Sequence, residues 1–215
     1  MTSIGFFTPT LRGEVWLLNR ATVMLDVVWA AAADLRVVDM SRYVSPSNSI
    51  ECSRNLAIER AVNEGCAYLY MLDSNVASES HINSPLAELF LAMQYPCNCA
   101  VAAGAVVPVN GGKAGKINAT GIAQDEARDV EYVSAAMMLI DLQALLELGK
   151  SEGPWFKRVH NPGWTQTTVD EGFFFSHQIR DLGGRVIATW KVPTIHRTSG
   201  TNRLPTWTSD GNRAE

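Results

Sequence analysis

Asp73 and Asn75 stand two residues apart, directly after the apolar run Ala67-Tyr68-Leu69-Tyr70-Met71-Leu72. A carboxylate and an amide at that spacing, at the end of a buried strand, can aim hard oxygens at one point. Oxygen ligands of this type suit Mg²⁺ or Mn²⁺ bridging a diphosphate. The plainer alternative is an aspartate that caps the following turn, and a D-x-N on its own favours it. His196 follows a second apolar stretch. Imidazole is a sound ligand for a Mn²⁺-like ion, although a lone histidine is more often structural. Trp155, Phe156 and Trp164 offer flat faces that suit sugar rings or nucleobases, and packing in the core is the commoner use of such residues.

Strands alternating with helices are what the chain offers to position these groups. Ser3 to Phe7 reads as a first strand that stops at Thr8-Pro9-Thr10. Residues 14–33 carry helical spacing, and Leu35 to Val38 reads as a second strand. Ser53 is expected to cap a helix running from Asn55 to Asn63, with Gly65 as its stop. The run from Ala67 to Leu72 is apolar on both faces, as expected of a central strand covered by helices. A helix from Pro85 to Gln94, a strand from Cys99 to Ala103 running into Gly104, and a strand-like stretch from Val130 to Ile140 follow. A short helix from Leu142 to Leu148 comes next. Residues 109–129, rich in Gly, Lys and Asn, are expected to form a surface loop or hairpin and a mobile flap. Residues 172–182 look helical, Gly183-Gly184 ends that helix, and Arg185 to Ala188 is the last expected strand. The pattern argues for an α/β sandwich with a mostly parallel central sheet and helices on both faces. In such sheets ligands sit outside the carboxyl ends of strands, where Thr8, Thr10, Asp73 and Asn75 all fall.

Composition narrows the classes. The chain has 215 residues, 47% of them hydrophobic and 19% charged, which is enough for a buried core and too little charge for disorder. No apolar run reaches the ~20 residues that span a bilayer, and the N-terminus lacks the form of a signal peptide. The expectation is a cytoplasmic protein with no membrane contact and no obligate protein partner. Cys52, Cys66, Cys97 and Cys99 contain no C-x-x-C pair and read as reduced thiols. Net charge is −4, unevenly spread: residues 1–149 carry nine Lys/Arg against sixteen Asp/Glu, and residues 150–215 nine against six. The basic C-terminal third is suited to an anion or simply to solvent.

The order of features along the chain resembles the GT-A nucleotide-sugar glycosyltransferases, especially small stand-alone ones, including many encoded by bacteriophages. It runs from Ser53-Arg54-Asn55 at a helix start through the strand ending in Asp73-Ser74-Asn75. Gly104, the Val133–Ile140 segment, Pro154-Trp155-Phe156, Asp170-Glu171, Leu182-Gly183-Gly184 and Ile195-His196-Arg197 complete it. The similarity covers Ile4 to about Gly200. It implies a Rossmann-like GT-A domain over 1–215, with residues 1–108 as the nucleotide-sugar half and 109–215 as the acceptor half with a flexible tail from about 200. The family's D-x-D falls on Asp73-Ser74-Asn75, where Asn in place of the second Asp keeps an oxygen and loses a charge. Thr8, Pro9 and Thr10 match the loop that holds the base, Arg54 and Asn55 the pair that approaches the nucleotide, and His196 the late histidine that completes the metal site. Asp170 and Glu171 fall where inverting members carry the carboxylate that takes the acceptor's proton. Counting back from Gly183 puts Gly172 where the catalytic Asp often sits, so the base is left open between Asp170 and Glu171. Arg197, Arg203 and Lys191 are suited to neutralise the leaving diphosphate, and Gly104, Trp155, Phe156 and Trp164 line the implied acceptor side.

The resemblance therefore implies a hexosyltransferase using a UDP-sugar with Mn²⁺ or Mg²⁺. A nucleotidyltransferase would open with a Gly-rich phosphate loop, whereas Phe7 to Gly13 holds one glycine, and both P-loop and dinucleotide fingerprints are absent. A non-catalytic nucleotide- or carbohydrate-binding module is the alternative from another class. The acceptor is a hydroxyl on a saccharide, on a protein or, as the leading expectation, on a 5-hydroxymethylpyrimidine in DNA approached by the basic C-terminal third.

Overall fold

The computed structural model describes residues 1–9, 17–41, 48–78, 83–94, 99–108, 127–149, 154–160, 168–169 and 171–196. In chain order the elements are β1 (Thr2–Phe7), α1 (Leu17–Ala32), β2 (Leu35–Asp39), α2 (Ile50–Asn63), β3 (Tyr68–Leu72), β4 (Val76–Ser78), α3 (Pro85–Met93) and β5 (Cys99–Pro108). Then come β6 (Ala127–Asp129), β7 (Met137–Asp141), α4 (Leu142–Glu147), β8 (Val159–His160), β9 (Thr168–Val169), α5 (Glu171–Asp181) and β10 (Arg185–His196).

Among the described residues eight strands form one sheet in the order β2-β1-β3-β7-β5-β10-β4, with β6 paired to β10. β1, β2, β3, β5 and β10 point one way, and β4, β6 and β7 run against them. This is the expected mostly parallel α/β sheet, made mixed by its three reversed strands. β8 and β9 form a separate antiparallel pair.

The centre of the sheet is buried on both faces because β3 and Met137–Ile140 of β7 are apolar at successive positions while side chains alternate. Leu69 and Met71 of β3, Met138 and Ile140 of β7 and Val186 and Ala188 of β10 pack with Ala57, Ile58, Leu145, Phe175 and Ile179 of α2, α4 and α5. Their neighbours Tyr70, Leu72, Met137, Leu139 and Ile187 face Ala30, Leu86 and Leu89 of α1 and α3. β7 enters between β3 and β5, so both halves of the chain share one sheet.

Several boundaries differ from those expected. α2 begins at Ile50 rather than Asn55, and its N-cap is Ser49, whose hydroxyl accepts from the Cys52 amide (3.3 Å); Ser53 is buried one turn inside the helix. Gly65 and Gly183 do end α2 and α5, both at the positive φ that glycine adopts without penalty. Of the stretch from Val130 to Ile140 only Met137 onward is strand. Residues 109–126 of the expected flap lie outside the described residues, but Ala127–Asp129 form β6 rather than a loop. Asp129 is clamped there by Arg180 (2.6 Å) and Arg185 (2.9 Å). β10 continues past Ala188 to His196, with a register shift between Thr189 and Thr194 that accommodates Pro193, a residue with no ladder donor.

Candidate functional site

The carboxyl ends of β1, β2 and β3 gather at one edge of the sheet. Thr8 follows β1, and its amide donates to Ser41 Oγ (3.1 Å) just beyond β2, while Asp39 Oδ1 accepts from the Ser41 amide (3.0 Å). Pro9 beside it is buried. Asp73-Ser74-Asn75 is a tight turn between β3 and β4. The Val76 amide donates back to the Asp73 carbonyl (2.9 Å), and the Asp73 amide donates to the Ala136 carbonyl (2.9 Å). Ser74 is buried, and Asp73 and Asn75 are half-buried. The β10–β4 ladder pairs His196 with Val76, so its backbone stands opposite the residue that follows Asn75. The same ladder position pairs His196 with Pro108 of β5. Sequence positions 73, 75 and 196 are thereby brought to one place by the sheet's register.

Beside this turn a buried arginine ties two carboxylates together. Arg54, on α2 and 1% exposed, donates through Nη2 to Asp73 Oδ1 (2.6 Å) and to the Ala135 carbonyl (3.2 Å), and through Nη1 to Glu171 Oε1. Burial works against its charge, but the carboxylates of Asp73 and Glu171 outweigh that and hold the guanidinium more firmly protonated than usual. Its carbon lies 5.7 Å from the centroid of the Phe156 ring. Glu171 Oε2 accepts from Arg158 Nε (3.2 Å), which also reaches Glu51 Oε1 (3.4 Å). Asp73, Arg54, Glu171, Arg158 and Glu51 thus form one chain of alternating charge from the turn, past the start of α5, to the first turn of α2.

The expected nucleotide-facing pair is used differently. Arg54 gives its Nη donors to the two carboxylates and the Ala135 carbonyl, and Asn55 clips the 154–158 segment to α2. Its Oδ1 accepts from the Trp155 and Phe156 amides (2.7 and 3.0 Å) and its Nδ2 donates to the Phe156 carbonyl (2.9 Å). Phe156 is a core residue, stacked on Phe175 at 4.4 Å, and not an acceptor platform; Trp155 is half-buried. Gly104 lies within β5 opposite Thr189, and Lys191 is exposed in β10. Thr10, Trp164, Asp170, Arg197 and Arg203 lie outside the described residues.

Gly172 explains a departure noted in the sequence. A Cβ there would lie 2.7 Å from both the Ala135 nitrogen and the Val133 oxygen, so α5 meets the 133–135 backbone too closely for any side chain. Asn19 was not legible as a site residue: from α1 its Nδ2 donates to the carbonyls of Asp73 (2.9 Å) and Val76 (2.7 Å), bracketing the turn. The signal was present as the polar spacing Asn19, Thr22, Asp26 in a helix that is otherwise apolar but for Arg20.

The donor types here fit a hard divalent cation: a carboxylate and an amide from one turn, with an imidazole-bearing residue across the ladder. Among the described residues no three His, Cys, Asp or Glu side chains form a metal-holding group, so a cation here would draw on the Asn75 amide as well as on Asp73. Among the described residues no helix is long and apolar enough to cross a membrane.

No family model matches the chain, and no curated protein does. Among solved structures it is similar to a glycosyltransferase involved in glycosylation of the major capsid of PBCV-1, at 12% identity and a TM-score of 0.49, over 90% of this chain and 93% of that one. It is similar to GalNAc-T7, whose crystal structure holds UDP, GalNAc and Mn²⁺, at 12% identity and a TM-score of 0.48. That match covers 93% of this chain and spans 44% of the length of GalNAc-T7. Protein A197 from STIV matches at 14% identity and a TM-score of 0.46, over 96% of this chain and 99% of that one. Similarity at this level supplies no residue-by-residue correspondence.

Proposed function

We propose that the chain is a GT-A-like glycosyltransferase that moves a sugar from a UDP-sugar to an acceptor hydroxyl with the help of Mn²⁺ or Mg²⁺. The observation that carries this reading is the β10–β4 register, which sets His196 beside the Asp73–Asn75 turn at the carboxyl ends of the sheet. Asp73, Asn75 and His196 would hold the cation, which supplies positive charge against the donor diphosphate. Thr8, Pro9 and Thr10 would border the base, Ser74 would support the turn from beneath, and Lys191, Arg197 and Arg203 would balance the charge of the departing diphosphate.

At the acceptor side the hydroxyl oxygen attacks the anomeric carbon as the bond to the nucleoside diphosphate breaks, and its proton passes to a carboxylate. Both oxygens of Glu171 accept from guanidinium groups, an arrangement that favours the ionised form and opposes proton uptake. Asp170, its neighbour in sequence, is therefore assigned the proton. Trp155, Trp164 and Gly104 border the acceptor.

The acceptor we assign is a 5-hydroxymethylpyrimidine in DNA, on the strength of the basic balance of residues 150–215. Phosphate contacts would make binding fall with salt by a log–log slope of about −0.9 per contact on duplex DNA. The experiment is transfer from UDP-sugars to hydroxymethylated DNA, unmodified DNA, simple saccharides and peptides, with Mn²⁺ or with EDTA. Transfer to hydroxymethylated DNA alone supports the full reading. Transfer to a saccharide or peptide instead removes the DNA acceptor and keeps the donor half, and UDP binding without any turnover would make the chain a binding module.

A further inference from the structure

α1 buries one polar stripe. Asn19, Thr22 and Asp26, at i, i+3 and i+7 and so on one helix face, are 0%, 4% and 0% exposed. Each is bonded to the chain that follows β3. Asp26 accepts from Ser84 Oγ (2.7 Å) and the Leu86 amide (3.0 Å) at the start of α3, and from Tyr70 Oη (2.8 Å). Thr22 Oγ1 accepts from the Ser78 amide in β4 (3.2 Å). Asn19 alone reaches the D-x-N turn itself, and with both hydrogens of its amide it holds the two carbonyls that bracket it.

That geometry is specific to asparagine. The two carbonyls demand two donors from one short side chain; a hydroxyl supplies one and a carboxylate none. Its Oδ1 has no partner among the described residues, and burying an unsatisfied acceptor costs about 1–3 kcal/mol. A residue that carries this cost, and whose donors both go to the turn, sets the turn's geometry from a rigid helix. The Asn75 side chain leaves the backbone between those two tethered carbonyls, and the Asp73 side chain leaves it at the Cα directly before the first.

We propose that Asn19 is a positioning residue for the cation and donor site: by bridging the Asp73 and Val76 carbonyls it fixes the direction in which Asp73 and Asn75 present their oxygens. The proposal rests on the turn being the cation site, and the test separates the two. Hydrogen exchange at residues 73–76 of the ligand-free protein reads the tether. Calorimetric titration of UDP at increasing Mn²⁺ reads the site. Asn19→Ala should speed exchange at the turn at least roughly tenfold, as a locally opened segment does, with β1 and β7 unaffected. It should also raise the half-saturating Mn²⁺ concentration by roughly 10–100-fold, the usual effect of removing a residue that orients a ligand. Asn19→Ser, which keeps one donor, should fall between and serves if the alanine variant does not fold. Thr22→Val, which strips a bond from β4 and none from the turn, should leave the Mn²⁺ dependence where it was. Unchanged exchange at the turn, or an equal Mn²⁺ shift in Thr22→Val, overturns the proposal. Mn²⁺-independent UDP binding by the unaltered protein overturns the cation reading, and exchange at the turn still decides whether Asn19 tethers it.

Discussion

A buried guanidinium bonded to two carboxylates, Glu171 buried and Asp73 half-buried, must be matched in geometry, because breaking a buried pair leaves an uncompensated charge worth about 3–5 kcal/mol. Glu171 sits inside that network, whereas Asp170 is the carboxylate proposed to take the proton, so their amide variants should part company. Asp170→Asn should lower kcat by roughly 10²–10⁴-fold, the range for a general base, with the urea midpoint and the donor KM kept. Glu171→Gln should lower the urea midpoint as well, because it leaves Arg54 and Arg158 short of a partner. Equal stability and equal kcat in both variants would remove the network from the mechanism. A second buried carboxylate, Asp26, has no cation among its bonds, and burial pushes its pKa from 3.8 to about 6 against the pull of Leu86, Ser84 and Tyr70. The folded state then holds a proton that the unfolded chain has released between these values. This group's contribution to stability is accordingly greatest below about pH 4, declines as pH rises to about 6, and amounts to about 3 kcal/mol across the window. Asp26→Asn should remove that slope, read as the difference between the two unfolding free-energy curves from pH 4 to 7; parallel curves would contradict it. Neither network was legible beforehand, since Arg54 meets Glu171 across 117 positions and Asn19 meets Asp73 across 54. Periodicity records which face a residue takes and says nothing of the partner waiting there.

The elements themselves were far more legible, for physical reasons that also mark where reading failed. β3 announces itself as an apolar run cut off by Asp73, and the helices ending at Gly65 and Gly183 carry their stops in the sequence. β4 is three residues long and too short to show alternation, yet it carries the ladder that brings His196 to the turn. β10 runs on past Ala188, where the expected strand stopped, and absorbs Pro193 with a register shift between Thr189 and Thr194. Ser53, the expected cap, lies inside α2, and Ser49 opens the helix four residues earlier. At Gly172, α5 lies close against the 133–135 backbone. Gly172→Ala puts a methyl 2.7 Å from two backbone atoms and should cost about 1–3 kcal/mol as overpacking does. It displaces the start of α5, so activity should fall together with the urea midpoint. A variant as stable and as active as the parent would show that α5 can withdraw without consequence.

On the scale of the whole molecule, one sheet is assembled from both halves of the chain, and the site lies where they meet. β1 to β3 bring Thr8 and the Asp73–Asn75 turn, β10 brings His196, and α5 brings Glu171 to the arginine supplied by α2. A nucleoside diphosphate would add negative charge where Asp39, Asp73, Glu51 and Glu171 outnumber the guanidinium groups of Arg54 and Arg158 that pair with them, in a chain of net charge −4. Binding there without added positive charge is opposed by like-charge repulsion, and a divalent cation turns the same carboxylate into an attraction. The most direct measurement is therefore a calorimetric titration of the unaltered protein with UDP, in Mn²⁺ and again in excess EDTA, repeated with Asp73→Asn. Saturable binding in Mn²⁺ that is lost in EDTA and lost in Asp73→Asn is the predicted result. Binding of equal affinity in EDTA, or no binding in either condition, would contradict it.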